Sequence, residues 1–581
     1  MTDSEIRKPP ARWRPFLILA SLTASVLTIG AWLVSLHVQQ RDFLQEAGDD
    51  RTIRSIELVA NRGLITDRNG EPLAVSTPVQ SIWVNPGKLI ADSGSIHLLA
   101  WHLELDSNEF MEKIKDNASR EFLYVKRRLS PDEAKAVLEL NIDHVYAQQE
   151  FQRFYPHGEV TAHLIGFSDI DDVGQEGLEL TYDKWLRGVP GRRRVMKDPR
   201  GNLIRELDII QTAEPGNDLA LSIDFRLQNL AYRALKAEFI TRHAKAASAV
   251  VLDVQTGEVL AMVNQPSYNP HNRANLVDFS VMRNRAVTDV YEPGSTIKPF
   301  SIMAALESGR FEPDSIIETS PGWMMVGFNE VRDLFNYGTL TLGKIITKSS
   351  NVGISKVAFE IGPEAIRDVL QRVGFGEVAG TGFPGEQDGI LPNHRRWSRI
   401  ETATFSFGYG LAASPLQIAG AYSVIADDGI RKPVSLLRLD QATLSELPRQ
   451  QSVSPAIARR VRGMLETVVD RKRGGSADEA NIPFYQVAGK TGTAHVVGEF
   501  GYEDNLHNSL FAGMVPASNP KIVVVVVINE PKGDEHYGGQ VAAPVFADIA
   551  SGAMRILNIP PDLGLAVSSV ITDNQMSGAA D

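Results

Sequence analysis

The chain has 581 residues, more than one compact domain holds, and its 43% hydrophobic and 22% charged residues are those of folded protein. A net charge of -12, with no long basic run, argues against a nucleic-acid binder. The absence of cysteine removes disulfides, thiol catalysis and cysteine-type zinc sites together.

Phe16 to Val38 reads FLILASLTASVLTIGAWLVSLHV, apolar and uncharged until Arg41, and long enough to span a bilayer. Arg7, Lys8, Arg12 and Arg14 precede it, and the flank Asp42 to Asp50 is mostly acidic. The positive-inside rule puts residues 1–15 in the cytoplasm and everything after residue 40 outside. A cleaved signal peptide would have an apolar core of about 7–15 residues and a small-residue cleavage site. Leu36-His37-Val38-Gln39-Gln40 offers no such site, so 16–38 reads as an uncleaved anchor.

A polar helical connector is expected to about Ser55. Arg62 to Ala74 alternates like a strand, turns at Asn69-Gly70 and resumes, as a hairpin does. Residues 97–150 read as helical, with Leu98 to Leu105 and then Pro131 to Leu140 behind a capping Ser130. Phe151 to Pro156 and the glycine-rich run Gly166 to Gly177 read as irregular surface. Nothing in 40–215 supplies a catalytic constellation, so that region is expected to be a non-catalytic pedestal of the dimerisation type.

The character changes at Pro215-Gly216. Ile223 to Phe239 is an amphipathic helix, and Ser248 to Leu252 and Glu258 to Val263 form a β-hairpin. A mainly helical stretch, 295–470, follows. Strand patterns return at Phe484 to Thr493, Ser509 to Val515 and Ile522 to Asn529, and the helix Val541 to Leu557 closes the region. The run Ile522 to Ile528 is too short to cross lipid and reads as a central strand covered on both faces. This order implies an α+β catalytic domain over 216–558. Its antiparallel sheet of five strands would have the first two rejoin the last three, with an all-helical insert between. Residues 559–581 are small and polar, the composition of a disordered tail.

Within this domain, Pro293-Gly294 breaks the chain and Ser295 opens a helical pattern, Ile297, Phe300, Ile302, Met303, Leu306, that ends at Gly309. Lys298 lies one turn on, on the same face. A lysine whose pKa is lowered by burial or a neighbouring cation can take the proton of a serine hydroxyl. Ser-x-x-Lys alone is weak, since roughly two such spacings arise by chance in a chain of this composition. Ser518-Asn519-Pro520-Lys521 is one and runs straight into a strand. What raises Ser295 is Ser349-Ser350-Asn351 and then Lys490-Thr491-Gly492. Ser349 can shuttle a proton between Lys298 and a leaving amine, and the Asn351 amide can hold a substrate carbonyl. Gly492 leaves an edge strand open to an extended peptide. Lys490, Thr491 and Thr493 suit a terminal carboxylate, and the backbone N–H groups of Ser295 and Thr493 would make an oxyanion hole. Ser267-Tyr268-Asn269 is a second Ser-x-Asn, in a proline-rich loop. Gly489-Lys490-Thr491 lacks the earlier glycine of a phosphate loop, and Gly338 to Lys344 ends in Ile345.

The three motifs together are those of the penicillin-recognising serine enzymes, with Ser-Ser-Asn here in place of Ser-Asp-Asn. The chain resembles class B penicillin-binding proteins over nearly its whole length. Arg62-Gly63-x-Ile65-x-Asp67-Arg68-Asn69-Gly70 is similar to their pedestal signature. Asn284 to Asp289 followed by Glu292-Pro293-Gly294-Ser295 is similar to the division-specific, septal branch. The resemblance implies that Ser295 attacks the penultimate D-Ala of a D-Ala-D-Ala stem peptide, releases terminal D-Ala and passes the acyl group to a neighbouring amine. It implies covalent inhibition by β-lactams, work beside a SEDS-type (FtsW-like) glycosyltransferase and other divisome membrane proteins, and no cofactor or metal. No room separates anchor from pedestal for a glycosyltransferase domain, and 559–581 is too short for an extra module. An elongation-specific transpeptidase, or a carboxypeptidase or β-lactamase, would share the motifs. A membrane-bound penicillin sensor would need more than about fifteen residues before the anchor for its output domain.

Overall fold

The computed structural model describes residues 13–43, 52–198, 203–274, 276–498 and 501–563. Most of the expected cytoplasmic stretch 1–15, the connector between 44 and 51, and the tail beyond 563 lie outside the described residues. Helix α1, Arg14–Val34, continues through a π-helical turn, Ser35–Gln39. The span Pro15–Val38 is long and apolar enough to cross a membrane, and most of its large side chains are exposed.

By its internal contacts the chain divides into two units. The N-terminal unit comprises residues up to Asn61, Pro78–Phe151 and Gly188–Pro215. Strand β1, Ile53–Leu58, starts where the connector was expected to be helical. It is the edge of a three-stranded antiparallel sheet with two strands from the far end of the unit, Gly191–Lys197 and Leu203–Gln211. Strand β2, Pro72–Val84, enters this unit at Pro78. Helices α2, Ser93–His102, and α3, Ser107–Asp116, follow. Strand β3, Leu123–Leu129, helix α4, Pro131–Leu138, and strand β4, Val145–Phe154, come next, and β3 and β4 both pair with β2. The all-helical reading of 97–150 is therefore corrected: two strands interrupt it. Their apolar alternation is masked by charge. In β4 the buried Glu150 stands where an apolar residue would have signalled a strand. It accepts hydrogen bonds from Ser81 at 2.5 Å, Tyr124 at 2.8 Å and Arg127 at 3.1 Å. Ser130 and Glu133 form the capping box expected at the start of α4.

The larger unit holds Arg62–Thr77, Gln152–Arg187 and everything from Gly216. The run Gly166 to Gly177, expected as irregular surface, borders a buried ionic knot. Arg62 donates to Glu179 at 2.7 Å and Asp183 at 2.9 Å, and Arg153 donates to Glu179 from the other side at 2.7 Å. Arg62 and Glu179 are fully buried, so each charge needs the other.

Helix α5, Phe225–Thr241, capped by Asp224, leads into strands β5, Ala246–Asp253, and β6, Val259–Gln265. Helix α6, Lys298–Glu307, begins the insert, followed by α7, Leu342–Lys348, and α8, Asn351–Ile361. Further on come α9, Pro415–Ala426, and α10, Pro455–Val469. Strands β7, Ala488–Gly498, β8, Gly501–Val515, and β9, Ile522–Asn529, complete the sheet before helix α11, Gly538–Ile556. The sheet order is β6-β5-β9-β8-β7, antiparallel throughout, so the first two strands do rejoin the last three. In β9 every residue from Ile522 to Ile528 is buried. Helices α5 and α11 pack together on the sheet and α9 packs on it separately, covering both faces. The insert, expected to be all-helical, is mainly helical but holds three short antiparallel pairs among the described residues: Ile316–Glu318 with Thr339–Thr341, Trp323–Val326 with Asn329–Arg332, and Ile430–Arg431 with Gln450–Gln451. Ile559 to Leu563, expected to be disordered, are tied down: Tyr485 donates to the Ile559 carbonyl at 2.6 Å and the Gln486 N–H to Asp562 at 2.8 Å.

Candidate active site

Ser295 sits in a 3₁₀ turn, Gly294–Ile297, that runs directly into α6. The turn is packed so closely that side chains are excluded around it. Gly294, at φ +53°, donates its N–H to the Gly408 carbonyl at 3.1 Å. A Cβ at Gly408 would fall 2.0 Å from the Gly294 oxygen, and one at Gly492 would fall 2.7 Å from the Pro293 oxygen. The buried Tyr422 hydroxyl donates to the Thr296 carbonyl at 2.8 Å and braces the turn from below.

Lys298 is fully buried and its ammonium spends three donors on the second motif: Asn351 Oδ1 at 2.7 Å, the Ser349 carbonyl at 2.5 Å and Ser349 Oγ at 3.1 Å. Lys490, also fully buried, donates to the same Ser349 Oγ at 3.0 Å and to Thr491 Oγ1 at 3.3 Å. A hydroxyl accepts twice and donates once. With both lone pairs engaged by amines, the Ser349 proton is left to point at whatever enters the groove. Ser349 reaches this position because it ends α7 in the left-handed conformation, φ +56°.

Two buried amines on one oxygen cannot both keep their usual basicity. Burial lowers Lys298 well below the ordinary lysine value of 10.5, the charge of Lys490 lowers it further, and Asp333 opposes both. Burial lowers Lys490 to about 7.

Ser295, Ser349, Asn351, Thr491 and Thr493 line one cavity of about 550 Å³. Strand β7 forms one wall and is one of the two edge strands of the sheet. Thr493 Oγ1 accepts the Gly538 N–H at 3.0 Å, which fixes the start of α11 against that edge. All eight residues singled out in the sequence thus fall in one neighbourhood, Lys298, Lys490 and Gly492 behind the cavity wall and the others on it. The sequence decoys lie apart: Ser518 donates to Asp562, and Ser267 to the Glu159 carbonyl.

Sequence reasoning missed Asp333. Its carboxylate accepts from Ser350 Oγ at 2.6 Å, the Asn351 N–H at 2.5 Å and the Val352 N–H at 3.0 Å, so it holds the whole second motif. It lies in the loop after a short hairpin of the insert, and no spacing rule points to it. Gly408 and Tyr422 were missed too, since what they do is fit the turn that carries Ser295.

The penicillin binding protein transpeptidase domain model matches residues 247–551, and the penicillin-binding protein dimerisation domain model matches 57–221. The chain is 44% identical to a probable peptidoglycan D,D-transpeptidase PbpC of Pseudomonas aeruginosa, covering 97% of this chain and 99% of the relative. It is 41% identical to the peptidoglycan D,D-transpeptidase FtsI of Escherichia coli, covering 95% and 93%. Among solved structures, the transpeptidase domain of Burkholderia pseudomallei penicillin-binding protein 3 matches at TM-score 0.54 and 41% identity, covering 59% of this chain and 98% of that one. Mycobacterium tuberculosis penicillin-binding protein 3 with aztreonam matches at TM-score 0.65 and 27% identity, covering 87% and 98%. Motifs, sheet topology and relatives agree, and the chain belongs to the class B penicillin-binding proteins, the membrane-anchored family of peptidoglycan D,D-transpeptidases with a dimerisation domain ahead of the catalytic one.

Proposed function

We propose that the chain cross-links stem peptides of the septal cell wall through an acyl-enzyme on Ser295. Neutral Lys298 takes the Ser295 proton as the hydroxyl attacks the penultimate D-Ala carbonyl. The N–H groups of Ser295 and Thr493 hold the resulting oxyanion. Ser349, with its proton free and two amines behind it, delivers that proton to the leaving D-Ala amine. The Asn351 amide and the β7 edge hold the extended peptide, while Thr491 and Thr493 hold its terminal carboxylate with the charge of Lys490 behind them. An amine of a neighbouring stem then reverses the sequence and leaves with the acyl group. A β-lactam enters as an imitation of D-Ala-D-Ala and stays on Ser295.

The observation that carries this reading is the convergence of Lys298 and Lys490 on Ser349 Oγ beside the cavity that Ser295 lines. The cellular setting rests on the apolar helix and its basic flank: N-terminus in the cytoplasm, bulk in the periplasm, anchored in the inner membrane. The septal role and a SEDS-type partner of the FtsW kind rest on the likeness to FtsI. Two experiments test these parts separately. Incubation with a pentapeptide-bearing glycan polymer should release D-Ala and give dimeric muropeptides, and a protein that releases D-Ala with monomeric tetrapeptide as its only product is a carboxypeptidase instead. Depletion should give filamentous cells, whereas round cells would assign the chain to elongation.

A further inference from the structure

The N-terminal unit has a cavity of its own that acyl transfer does not use. Its volume is about 500 Å³, within the range of small-ligand sites. One wall is aromatic. Trp83 stacks on Tyr146 with ring centroids 4.4 Å apart, and Phe122 leans on Trp83 at 4.8 Å while staying 41% exposed. The edge strand β1 supplies Ile56 to Val59, and Gln148, Gln149 and Arg193 complete the lining.

One polar group here is buried and unpaired. Arg193 gives one terminal nitrogen to Glu206, but its Nε is buried and has no hydrogen-bond partner. Among the described residues, the side chains of Gln148, Gln149 and Glu57 engage in no hydrogen bond or ion pair. A buried donor left unpaired is costly, and native structures rarely keep one without a partner to fill it. The exposed Phe122 ring beside the Trp83–Tyr146 stack would alone suit any apolar ligand. Ring faces with a guanidinium and two carboxamides at the rim suit a ligand that is apolar on one flat face and polar around its circumference. A pyranose has that shape, with C–H groups above and below the ring and hydroxyl or acetamido groups around it. The amides offer donors and acceptors in pairs, and Arg193 Nε offers a donor to an acyl oxygen.

We propose that this cavity binds the N-acetylated amino-sugar backbone of a glycan strand, so that the non-catalytic unit grips the same polymer whose peptides the catalytic unit joins. The choice of sugar rests on peptidoglycan being the substrate, and the site itself needs nothing from Ser295.

The test uses the full chain in detergent and a peptide-free tetrasaccharide of alternating N-acetylglucosamine and N-acetylmuramic acid, with maltotetraose as control. Binding is read by saturation-transfer NMR and calorimetry, and labelling by fluorescent penicillin is measured in parallel. We expect saturable binding of the amino-sugar probe and none of maltotetraose. Gln148→Ala and the exposed Phe122→Ala should each weaken binding about tenfold, as loss of a central contact does, while penicillin labelling stays unchanged. No saturable binding, equal binding of maltotetraose, or undiminished binding in both variants overturns the proposal, the last result leaving a peptide or another surface as the occupant. Failed penicillin labelling with intact sugar binding would sink the acyl-enzyme reading and leave this one standing.

Discussion

The side-chain amines of Lys298 and Lys490 meet on one oxygen, the Ser349 hydroxyl, at 3.1 and 3.0 Å. That shared contact makes their titrations interdependent. Acylation by a penicillin should rise with pH as Lys298 loses its proton, along a limb well below the ordinary 10.5. In Lys490→Gln the neighbouring cation is gone, Lys298 keeps its proton to higher pH, and the limb moves up. A stopped-flow pH–rate profile of acylation measures this, and a limb that stays or moves down contradicts the coupling. Stability should carry the same signature. Between about pH 7 and 10.5 the unfolded chain holds a proton on Lys490 that the folded chain has released, so stability rises with pH across that window. Lys490→Met should flatten the rise in denaturant titrations.

Asp333 holds the second motif through three hydrogen bonds. A hydrogen bond to a charged group contributes about 1.5–3 kcal/mol, and losing one such hold on reactive geometry is worth about 10–100-fold in rate. Asp333→Ala should slow acylation by that order, and Asp333→Asn, which keeps an acceptor, by less. Equal rates in all three proteins would mean that the motif holds its shape without the carboxylate.

Gly408 and Gly410 separate clash from conformation. Both have positive φ, +94° and +76°, but only Gly408 has a backbone oxygen, that of Gly294, where a Cβ would go. Gly410→Ala should cost about 1–2 kcal/mol and leave penicillin labelling intact. Gly408→Ala should push the Ser295 turn aside and abolish labelling. Similar behaviour of the two variants would show that the close approach is not what sets Ser295.

Arg62→Ala leaves Glu179 buried with Arg153 as its remaining guanidinium partner. Breaking a buried pair from one side costs about 3–5 kcal/mol. Thermal unfolding should show a large drop, and Arg62→Met should not restore it, because the stranded charge is Glu179. A small drop would mean that water reaches the knot.

Much of the catalytic unit was legible because its signals are local. Ile522 to Ile528 could only be a covered strand, and three short motifs name Ser295, Lys298, Ser349, Asn351 and Lys490. What could not be read depends on distant partners. Strand β4 hides behind Glu150, whose charge makes sense only beside Ser81, Tyr124 and Arg127. Asp333 looks like any loop aspartate until the chain folds it under residues 350–352. Ile559 to Leu563 have the composition of a tail, yet Asp562 caps the backbone at Gln486.

The central claim is that Ser295 is the acylated residue. Incubation with a penicillin, intact-mass measurement and peptide mapping test it in one step. We expect a single adduct on the peptide carrying Ser295 in the unsubstituted protein, and none in Ser295→Ala with the same thermal melt. An adduct of equal yield in Ser295→Ala, or one that maps to Ser349 or Ser518, would contradict it.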